Sequence, residues 1–380
     1  MALASLNPTE LAFCSRASSF LQSDFWGSFK SRFGWKTYSF CADWDTGGIP
    51  ATGDVTTLPL LVLYRRLGPG IGFAYVPWGP ELPPLYNTDK RSSASAELAE
   101  ALRIFIPKDT ALIRFDFPWY IDIDEDNFTE SRKRETNLLR KSFTPAAADV
   151  QPPDSVFVDL FPDEVTIRAS MKSKWRYNIG LAERKGVSIR TVSQADRVSE
   201  CSRDFESYYR LYKETAERDG ISIHGREYYT ALFEEALKHT IDLRLYMASH
   251  EGDDIAGIVT LFRGEEAMYL YGASSNNKRN LMAPLALQWK AMQDAKAFGC
   301  RYYDMYGIPP RPPEEDPRHP MAGLYRFKTG FIGDKGEGGR IVHRPGCWDY
   351  SCRPLAKALY SAAEKTRKKI WDVKKQLRRS

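Results

Sequence analysis

Apolar residues follow strand-like and helix-like periods in turn along the first part of the chain. The runs "TLPLLVLYRR" and "GFAYVPWG" are rich in β-branched and aromatic residues and are joined by "LGPG", which predicts a β-hairpin. The segment "SSASAELAEALRIF" has helical spacing after a serine cap, and "ALIRFDFPW" returns to a strand pattern. The Pro- and Ala-rich connector "TPAAADVQPPDS" follows and predicts a domain boundary near residue 155.

The second half of the chain repeats this alternation. A strand-like "SVFVDL" precedes a basic helix, amphipathic helices, three β segments and the helix-strand pair "LALQWKAMQDAKAFGCRYYDMYGI". Two α/β units of similar plan predict a duplicated fold. We expect domains at residues 1–155 and 156–349, with a helix over 350–380 that docks on the first domain. The apolar residues expected on its docking face are Leu355, Leu359, Ala362, Ile370, Val373 and Leu377.

Composition supports two hydrophobic cores in one intracellular chain. The 380 residues are 43% hydrophobic and 13% aromatic. The longest apolar stretch, "LPLLVLY", is about a third of the ~20 residues that span a bilayer, and no signal-peptide pattern opens the sequence. The six cysteines have no partners at zinc-ligand spacing. We therefore expect a cytoplasmic protein with free thiols and no metal.

The net charge of +5 is unevenly distributed. Residues 353–380 alone carry +8, so the other 352 residues sum to −3. A local excess of this kind predicts an anionic partner at specific places and argues against DNA or a nonspecific nucleic-acid coat. For the C-terminal helix the two candidate partners are tRNA and the anionic inner face of the plasma membrane.

Several common catalytic motifs are absent from the sequence. No HExxH, GxSxG, Walker A or GxGxxG pattern occurs, which disfavours metal hydrolysis, serine hydrolysis and dinucleotide redox chemistry. The stretch "RRLGPG" fits the pyrophosphate pattern of acyl-CoA transferases, which requires a strand that leads into a helix. Here it joins two strand-like runs, so we favour a hairpin turn.

The basic segment "SMKSKWRYNIGLAERKGV" is predicted to be an amphipathic helix. Met171, Trp175 and Ile179 follow i, i+4, i+8 spacing and should face inward. The cations of its first turns are Lys172, Lys174 and Arg176. They form either a solvated face or a surface for the phosphates of tRNA or of a diphosphate substrate.

Three other segments place cations beside aromatic residues. In "FLQSDFWGSFK", Trp26 and Lys30 lie four residues apart on one helix face. In "AERDGISIHGREYY", a loop that contains His224 leads into the next helix. In "GLYRFKTGF", we expect a glycine-bounded turn that presents Phe327 and Lys328.

These segments together resemble the Fem family of aminoacyl-tRNA-dependent transferases, which build peptidoglycan interpeptide bridges. The matching motifs lie in the family's order over most of residues 20 to 340: "LQSDFWGSFK", "AYVPWGP", "MKSKWRYNIGLAERKGV", "AERDG", "EYY", "LYGASS", "APLALQWKAMQDAKAFGCRYYDMYGI" and "GLYRFKTGFIG". The resemblance implies an α/β (α+β) fold of two acetyltransferase-like (GNAT-like) domains, with mixed sheets flanked by helices and a substrate cleft between or beside them. No long heptad run is present, so the chain is similar to the compact, armless members.

The resemblance also implies a reaction. An amine on a cell-wall stem peptide attacks the ester of an aminoacyl-tRNA, and the acceptor is either UDP-MurNAc-pentapeptide or lipid II. The ester is already activated, so the enzyme needs orientation and charge stabilisation, with no covalent nucleophile and no cofactor. We expect a monomer in the cytoplasm that also contacts the inner membrane surface peripherally.

Site residues follow from the same resemblance. Lys30, with Trp26 on the same helix face, corresponds to the family's cation for the diphosphate of the acceptor. The family has an arginine where this chain has His224, and Arg226 two residues later is the expected substitute. The aromatic residues that line the acceptor site correspond to Tyr228 and Tyr271.

The catalytic candidates are a second set of matches. Phe327 and Lys328 correspond to a Phe-Lys pair near the tRNA acceptor end, and Lys328 is expected to stabilise the transition state. Asp116 corresponds to an acidic residue considered as a general base. Two other functions stay open: an aminoacyl-tRNA-dependent transferase of this fold that acts on a protein, lipid or small molecule, and an inactive module that binds tRNA or precursor.

Overall fold

The structure, a computed structural model, describes residues 2–49, 53–121, 128–192, 198–239, 241–319 and 321–377. The strands are β1 (Leu3–Pro8), β2 (Lys36–Ile49), β3 (Gly53–Gly68), β4 (Ile71–Val76), β5 (Thr110–Phe117), β6 (Thr144–Pro145), β7 (Asp154–Asp159), β8 (Ser188–Val192), β9 (Asp242–His250), β10 (Asp253–Arg263), β11 (Glu266–Ser274), β12 (Tyr302–Gly307), β13 (Gly339–His343) and β14 (Gly346–Ser351). The helices are α1 (Asp24–Ser31), α2 (Thr88–Phe105), α3 (Phe128–Leu139), α4 (Glu164–Ser170), α5 (Ser173–Arg184), α6 (Val198–Asp219), α7 (Arg226–Lys238), α8 (Ala283–Phe298), α9 (Ala322–Thr329) and α10 (Pro354–Leu377).

The chain divides into two compact units with one shared plan. Unit 1 comprises Met1–Pro153 and His343–Ser380, and unit 2 comprises Asp154–Val342. The sheet of unit 1 has the order β1-β2-β3-β4-β5-β14-β6, and that of unit 2 has the order β13-β7-β12-β11-β10-β9-β8. In each unit an antiparallel meander leads through one helix, α2 or α8, to a parallel neighbouring strand. The predicted mixed α/β class is therefore confirmed.

Each sheet is covered by an apolar core of its own. In unit 1, aromatic residues such as Phe40 and Phe115 pack with Leu98 of α2. In unit 2, Tyr303 and Phe262 pack with Leu287 of α8. The predicted hairpin at "LGPG" is confirmed, because β3 and β4 pair in antiparallel fashion around this turn.

Helix α10 packs on the sheet of unit 1 through a face that includes the charged residue Glu364. The guanidinium of Arg114 on β5 bonds Asp349 of β14 at 2.7 and 3.0 Å and Glu364 of α10 at 2.8 and 2.9 Å. The prediction that Leu355 and Leu359 face the first domain is wrong, since they are 84% and 65% exposed. Glu364 turns the helix toward Arg114 and so turns both leucines toward solvent. The side chains of Ile370, Val373 and Leu377 lie outside the described residues.

The expected glycine-bounded turn around Phe327 and Lys328 is a helix in the structure. The segment between Gly323 and Gly330 forms the last turns of α9. Its residues between the two glycines are ordinary helix formers, and the helix ends where Thr329 is followed by Gly330. The two glycines thus lie near the two ends of a short helix, where the sequence analysis predicted a turn.

Candidate functional site

Lys328 is a buried cation at the end of α9. Its side chain is 4% exposed. Its ammonium donates hydrogen bonds to the carbonyl oxygens of Tyr306 at 2.9 Å and Gly307 at 2.8 Å, both at the end of β12. The ring of Tyr269 lies 5.4 Å from Nζ. An ammonium has three donors, and among the described residues no third hydrogen-bond acceptor contacts it.

The two carbonyls reach Lys328 because the backbone turns sharply at the end of β12. Tyr306 has a φ of 58°, in the left-handed region that costs a residue with a side chain about 1 kcal/mol or more. Asp304 offsets this cost, since its buried carboxylate accepts the Tyr306 N–H at 2.7 Å and also bonds the Ser155 hydroxyl. The strained turn is thus held in place by a carboxylate on the same strand.

Burial decides the ionisation of Lys328. Removal of the ammonium from water lowers the pKa of Lys328 to about 7, and the Asp304 carboxylate opposes this shift. Carbonyl dipoles solvate the ammonium only in part. Near neutral pH the lysine is therefore balanced between its charged and neutral forms, as suits a residue that acts on a reacting group.

The basic helix α5 supports the end of α9. The indole N–H of Trp175 donates to the Phe327 carbonyl at 3.0 Å, and the Lys172 N–H donates to the Gly330 carbonyl at 2.9 Å. A Cβ at Gly330 would lie 2.2 Å from the Trp175 ring, so only glycine fits there. Met171 and Ile179 are buried, and Trp175 packs against the same core, which confirms the predicted inward face.

Two of the three predicted cations at the start of α5 have local partners. Lys172 pairs with Asp334 at 3.0 Å. Arg176 donates to the carbonyls of Ala169 and Met171 and so caps the end of α4. Lys174 is exposed. A contact of these residues with tRNA or phosphate stays a prediction.

Three of the predicted substrate residues meet in an aromatic cluster of unit 2. The His224 ring stacks on Tyr228 with centroids 3.8 Å apart, and Tyr229 joins Tyr228 to Tyr271 edge to face. Burial raises the pKa of both Tyr228 and Tyr271, so their hydroxyls remain protonated donors. Arg226 is directed elsewhere and forms an ion pair with Glu206.

Lys30 in unit 1 lies among aromatic rings. Its ammonium is 5.3 Å from the Trp26 ring and 5.8 Å from each of the Phe29 and Trp35 rings. Arg65 of β3 approaches the same Trp35 ring at 5.7 Å. Burial, and then the charge of Arg65, lower the pKa of Lys30 to about 8. Two cations that share one indole favour an anion between them.

Asp116 is buried inside unit 1. One of its carboxylate oxygens accepts the Tyr75 hydroxyl at 3.0 Å and the Gln151 N–H at 3.1 Å. Burial raises the pKa of Asp116 to about 7; the Tyr75 hydrogen bond opposes the shift and Asp149 adds to it. The side chain is 1% exposed. These contacts join β5 to β4 and to the connector before β7, and a role as general base stays a prediction.

Sequence reasoning missed the residues that hold the two lysines. Asp304, Tyr306 and Tyr269 surround Lys328, and the signal was an acidic residue and a glycine at the end of a predicted strand in "DMYGI". Arg65 was noticed only as part of the "RRLGPG" turn. Its neighbour across the sheet, Trp35, is recognised only once β2 and β3 are paired.

The described residues include no group of three His, Cys, Asp or Glu side chains able to hold a metal ion. In the same part of the chain, no helix combines the length and apolar character needed to cross a membrane. The described cysteines Cys14, Cys41, Cys300, Cys347 and Cys352 are free thiols.

Comparison with known sequences gives one family. The model of the FemAB family matches residues 12–245 and 234–365. A lipid II:glycine glycyltransferase of Staphylococcus saprophyticus is 33% identical over 129 residues, which is 34% of this chain and 28% of that protein. The enzyme of the same name from Staphylococcus haemolyticus is 27% identical over 150 residues, 39% of this chain and 33% of that protein. The alignments thus span about a third of these relatives' length.

Solved structures share the fold. The crystal structure of FemX superposes with a TM-score of 0.68 at 17% identity, covering 92% of this chain and 96% of FemX. A tandem GNAT protein from the clavulanic acid biosynthesis pathway superposes with a TM-score of 0.50 at 10% identity, covering 92% of this chain and 99% of that protein. The predicted pair of acetyltransferase-like units is confirmed by these matches.

The buried Lys328 predicts a pH-dependent stability. A lysine whose pKa falls from 10.5 to about 7 on folding costs stability below pH 7, and this cost is relieved as the pH rises toward 10.5. The stability that Lys328→Met gains over wild type should therefore be greatest at neutral pH and should become progressively smaller toward pH 10.5. Urea unfolding across this range measures the difference, and the exposed Lys335→Met is the control. A difference that is independent of pH would contradict the lowered pKa.

The raised pKa of Asp116 predicts that stability changes with pH in the opposite direction. Its pKa rises from 3.8 to about 7 on folding, so its contribution to stability is complete at acid pH and is lost as the pH rises through this interval. An amide keeps an oxygen for Tyr75 and Gln151 and carries no charge. Asp116→Asn should therefore gain stability over wild type as the pH is raised from 3.8 to about 7, with no further gain above. A difference in unfolding free energy between Asp116→Asn and wild type that is the same at every pH would refute this.

Proposed function

Because the chain belongs to the FemAB family, we propose that it transfers an amino acid from aminoacyl-tRNA to the side-chain amine of a peptidoglycan stem peptide. The family membership predicted from the motifs is confirmed. The proposal is carried by one observation, the buried Lys328 ammonium held by two carbonyls next to Phe327. A lysine in this setting is suited to charge stabilisation in a site from which water is excluded.

The acceptor that we favour is lipid II. The curated relatives are lipid II:glycine glycyltransferases, and this supports a lipid-linked stem peptide over the soluble UDP-MurNAc-pentapeptide. Their name also makes glycine the first amino acid to test. The aminoacyl-tRNA donor rests on the family resemblance and on the absence of a covalent nucleophile from the sequence motifs.

The reaction requires the protein to position the amine and the ester and to stabilise the negative charge that develops. The acceptor amine attacks the ester carbonyl carbon, a C–N bond forms, and the bond between that carbon and the ribose oxygen breaks. One proton leaves the amine and one reaches the departing ribose oxygen, so the step balances without a co-reactant. Protonated Lys328 would direct its third N–H at the developing negative charge on the carbonyl or ribose oxygen.

Unit 1 would bind the diphosphate of the acceptor. Lys30 and Arg65 meet over the Trp35 ring, and each lowers the cost of bringing an anion to the other. The pKa of Lys30, lowered to about 8 by burial and Arg65, would rise again when a diphosphate binds. Arg65 would thus act as a second cation beside Lys30; Arg226, which the family resemblance suggested for this part, pairs with Glu206.

The aromatic cluster of unit 2 would bind sugar or peptide groups of a substrate. The protonated hydroxyls of Tyr228 and Tyr271 donate hydrogen bonds, and the stacked His224 ring extends the cluster to the surface. Such surfaces favour sugars and peptide groups, which present both apolar faces and hydrogen-bond acceptors.

Removal of the lysine should abolish transfer. We expect Lys328→Ala to lower kcat by about 100-fold or more while acceptor binding survives, because the interaction lost belongs to the transition state. The assay follows radiolabel from a pool of charged tRNAs into lipid II in detergent and into UDP-MurNAc-pentapeptide. Lys335→Ala is the matched exposed control. Absence of transfer by wild type to both acceptors, each with its stem diamine intact, would reject the function.

Loss of either cation in unit 1 should weaken acceptor binding. Arg65→Met and Lys30→Met should each raise the dissociation constant for the acceptor by about tenfold, because each removes one charge-assisted contact to phosphate. Arg66→Met is a close control: this arginine is 69% exposed and pairs with Asp109. Equal effects of Arg65→Met and Arg66→Met would disprove a specific phosphate contact.

A further inference from the structure

Helix α10 has an exposed apolar side as well as its docked side. Ala356, Tyr360 and Glu364 face the sheet of unit 1 at i, i+4, i+8 spacing, and the Tyr360 ring stacks on Phe73 at 5.7 Å. The other side carries an apolar stripe that faces solvent, which we call the exposed stripe. Its members are Leu355, Ala358, Leu359 and Ala362.

The exposed stripe presents two large apolar side chains to solvent. Leu355 and Leu359 are 84% and 65% exposed, and they lie one turn apart. The helix has 24 residues, which corresponds to a length of about 36 Å. The docked contacts fix its orientation on unit 1, so the leucines cannot turn inward without breaking the bonds between Arg114 and Glu364. Contiguous apolar surface of this kind marks an interaction site.

Two lysines lie along the exposed stripe. In the helical projection Lys365 lies at one edge of the stripe and Lys369 lies between Ala358 and Ala362, and both lysines are exposed. The one described acidic side chain of α10, Glu364, lies on the docked side, where it pairs with Arg114. Over residues 353–380 the sequence holds a net charge of +8. The partner of this surface must therefore combine negative charge with an apolar layer.

We propose that α10 lies on an anionic membrane surface, with Leu355 and Leu359 in the boundary between head groups and acyl chains. Lys365 and Lys369 then meet lipid phosphates, which is the arrangement of an interfacial amphipathic helix. The purpose of this contact rests on the proposed function, since it would bring unit 1 to a lipid-linked acceptor. The contact itself depends only on α10 and on its docking to unit 1.

Two other occupants fit the exposed stripe less well. The phosphates of tRNA would satisfy the cations but would leave both leucines in water. A second copy of the chain would cover the leucines but would supply no negative charge from the same face of α10 for Lys365 and Lys369. A membrane surface satisfies both the apolar and the charged components.

Vesicle binding by the full chain tests the proposal. We expect wild type to co-sediment with phosphatidylcholine vesicles that contain phosphatidylglycerol, and to bind pure phosphatidylcholine vesicles and high-salt samples more weakly. Leu355→Ser/Leu359→Ser should bind about tenfold or more weakly, because two apolar side chains lose their burial. Lys365→Glu/Lys369→Glu should lose the preference for phosphatidylglycerol.

The matched control is Leu85→Ser/Ile104→Ser, two leucine-sized residues of unit 1 that are 57% and 82% exposed. It should bind vesicles as wild type does, and thermal unfolding should show that all variants stay folded. Failure of wild type to bind, or equal binding by the leucine variant, would overturn the proposal. Loss of self-association or of tRNA affinity in these variants, without any vesicle binding, would overturn it in favour of a second copy or tRNA.

The vesicles contain neither lipid II nor tRNA, so the result is separate from the transfer assay. A chain that binds vesicles but transfers nothing would contradict only the proposed function. A chain that transfers to lipid II in detergent and ignores vesicles would contradict only the membrane contact.

Discussion

The need to solvate a buried ammonium organises the candidate site of unit 2. Lys328 cannot be charged inside the protein unless dipoles replace its water, and the carbonyls of Tyr306 and Gly307 supply them. Those carbonyls are available only because the backbone adopts a left-handed turn, which Asp304 stabilises. Trp175 fixes the opposite side by bonding the end of α9. The basic helix that stands out in the sequence is thus a support for the lysine.

The two units hold their cations in different ways, although their sheets share one strand order. In unit 1, the ammonium of Lys30 lies near the rings of Trp26, Phe29 and Trp35. In unit 2, Lys328 uses two donors on carbonyls and keeps one. The first arrangement places the cation among aromatic rings beside a second cation, Arg65. In unit 2 the ammonium of Lys328 keeps one N–H for a further acceptor, which suits a group that acts on one developing charge.

The sequence predicted the parts of the fold that depend on local pattern. The hairpin at "LGPG", the inward face of Met171 and Ile179 and the α/β alternation were all visible as periods of apolar residues. The helix α9 and the support of Lys328 were not, because they depend on partners far away in the chain. Trp175 and Phe327 are 152 residues apart, and only folding brings them together.

The apolar pattern of helix α10, taken alone, predicted the wrong docked face, and the structure shows why. The Arg114 guanidinium is 3% exposed, and Asp349 alone cannot satisfy its five N–H donors. A second carboxylate is required, and Glu364 provides it at the cost of turning Leu355 and Leu359 outward. Desolvation of a charge is more expensive than exposure of two leucines. The polar contact therefore selects the docked face, and the apolar stripe is left for a partner outside the chain.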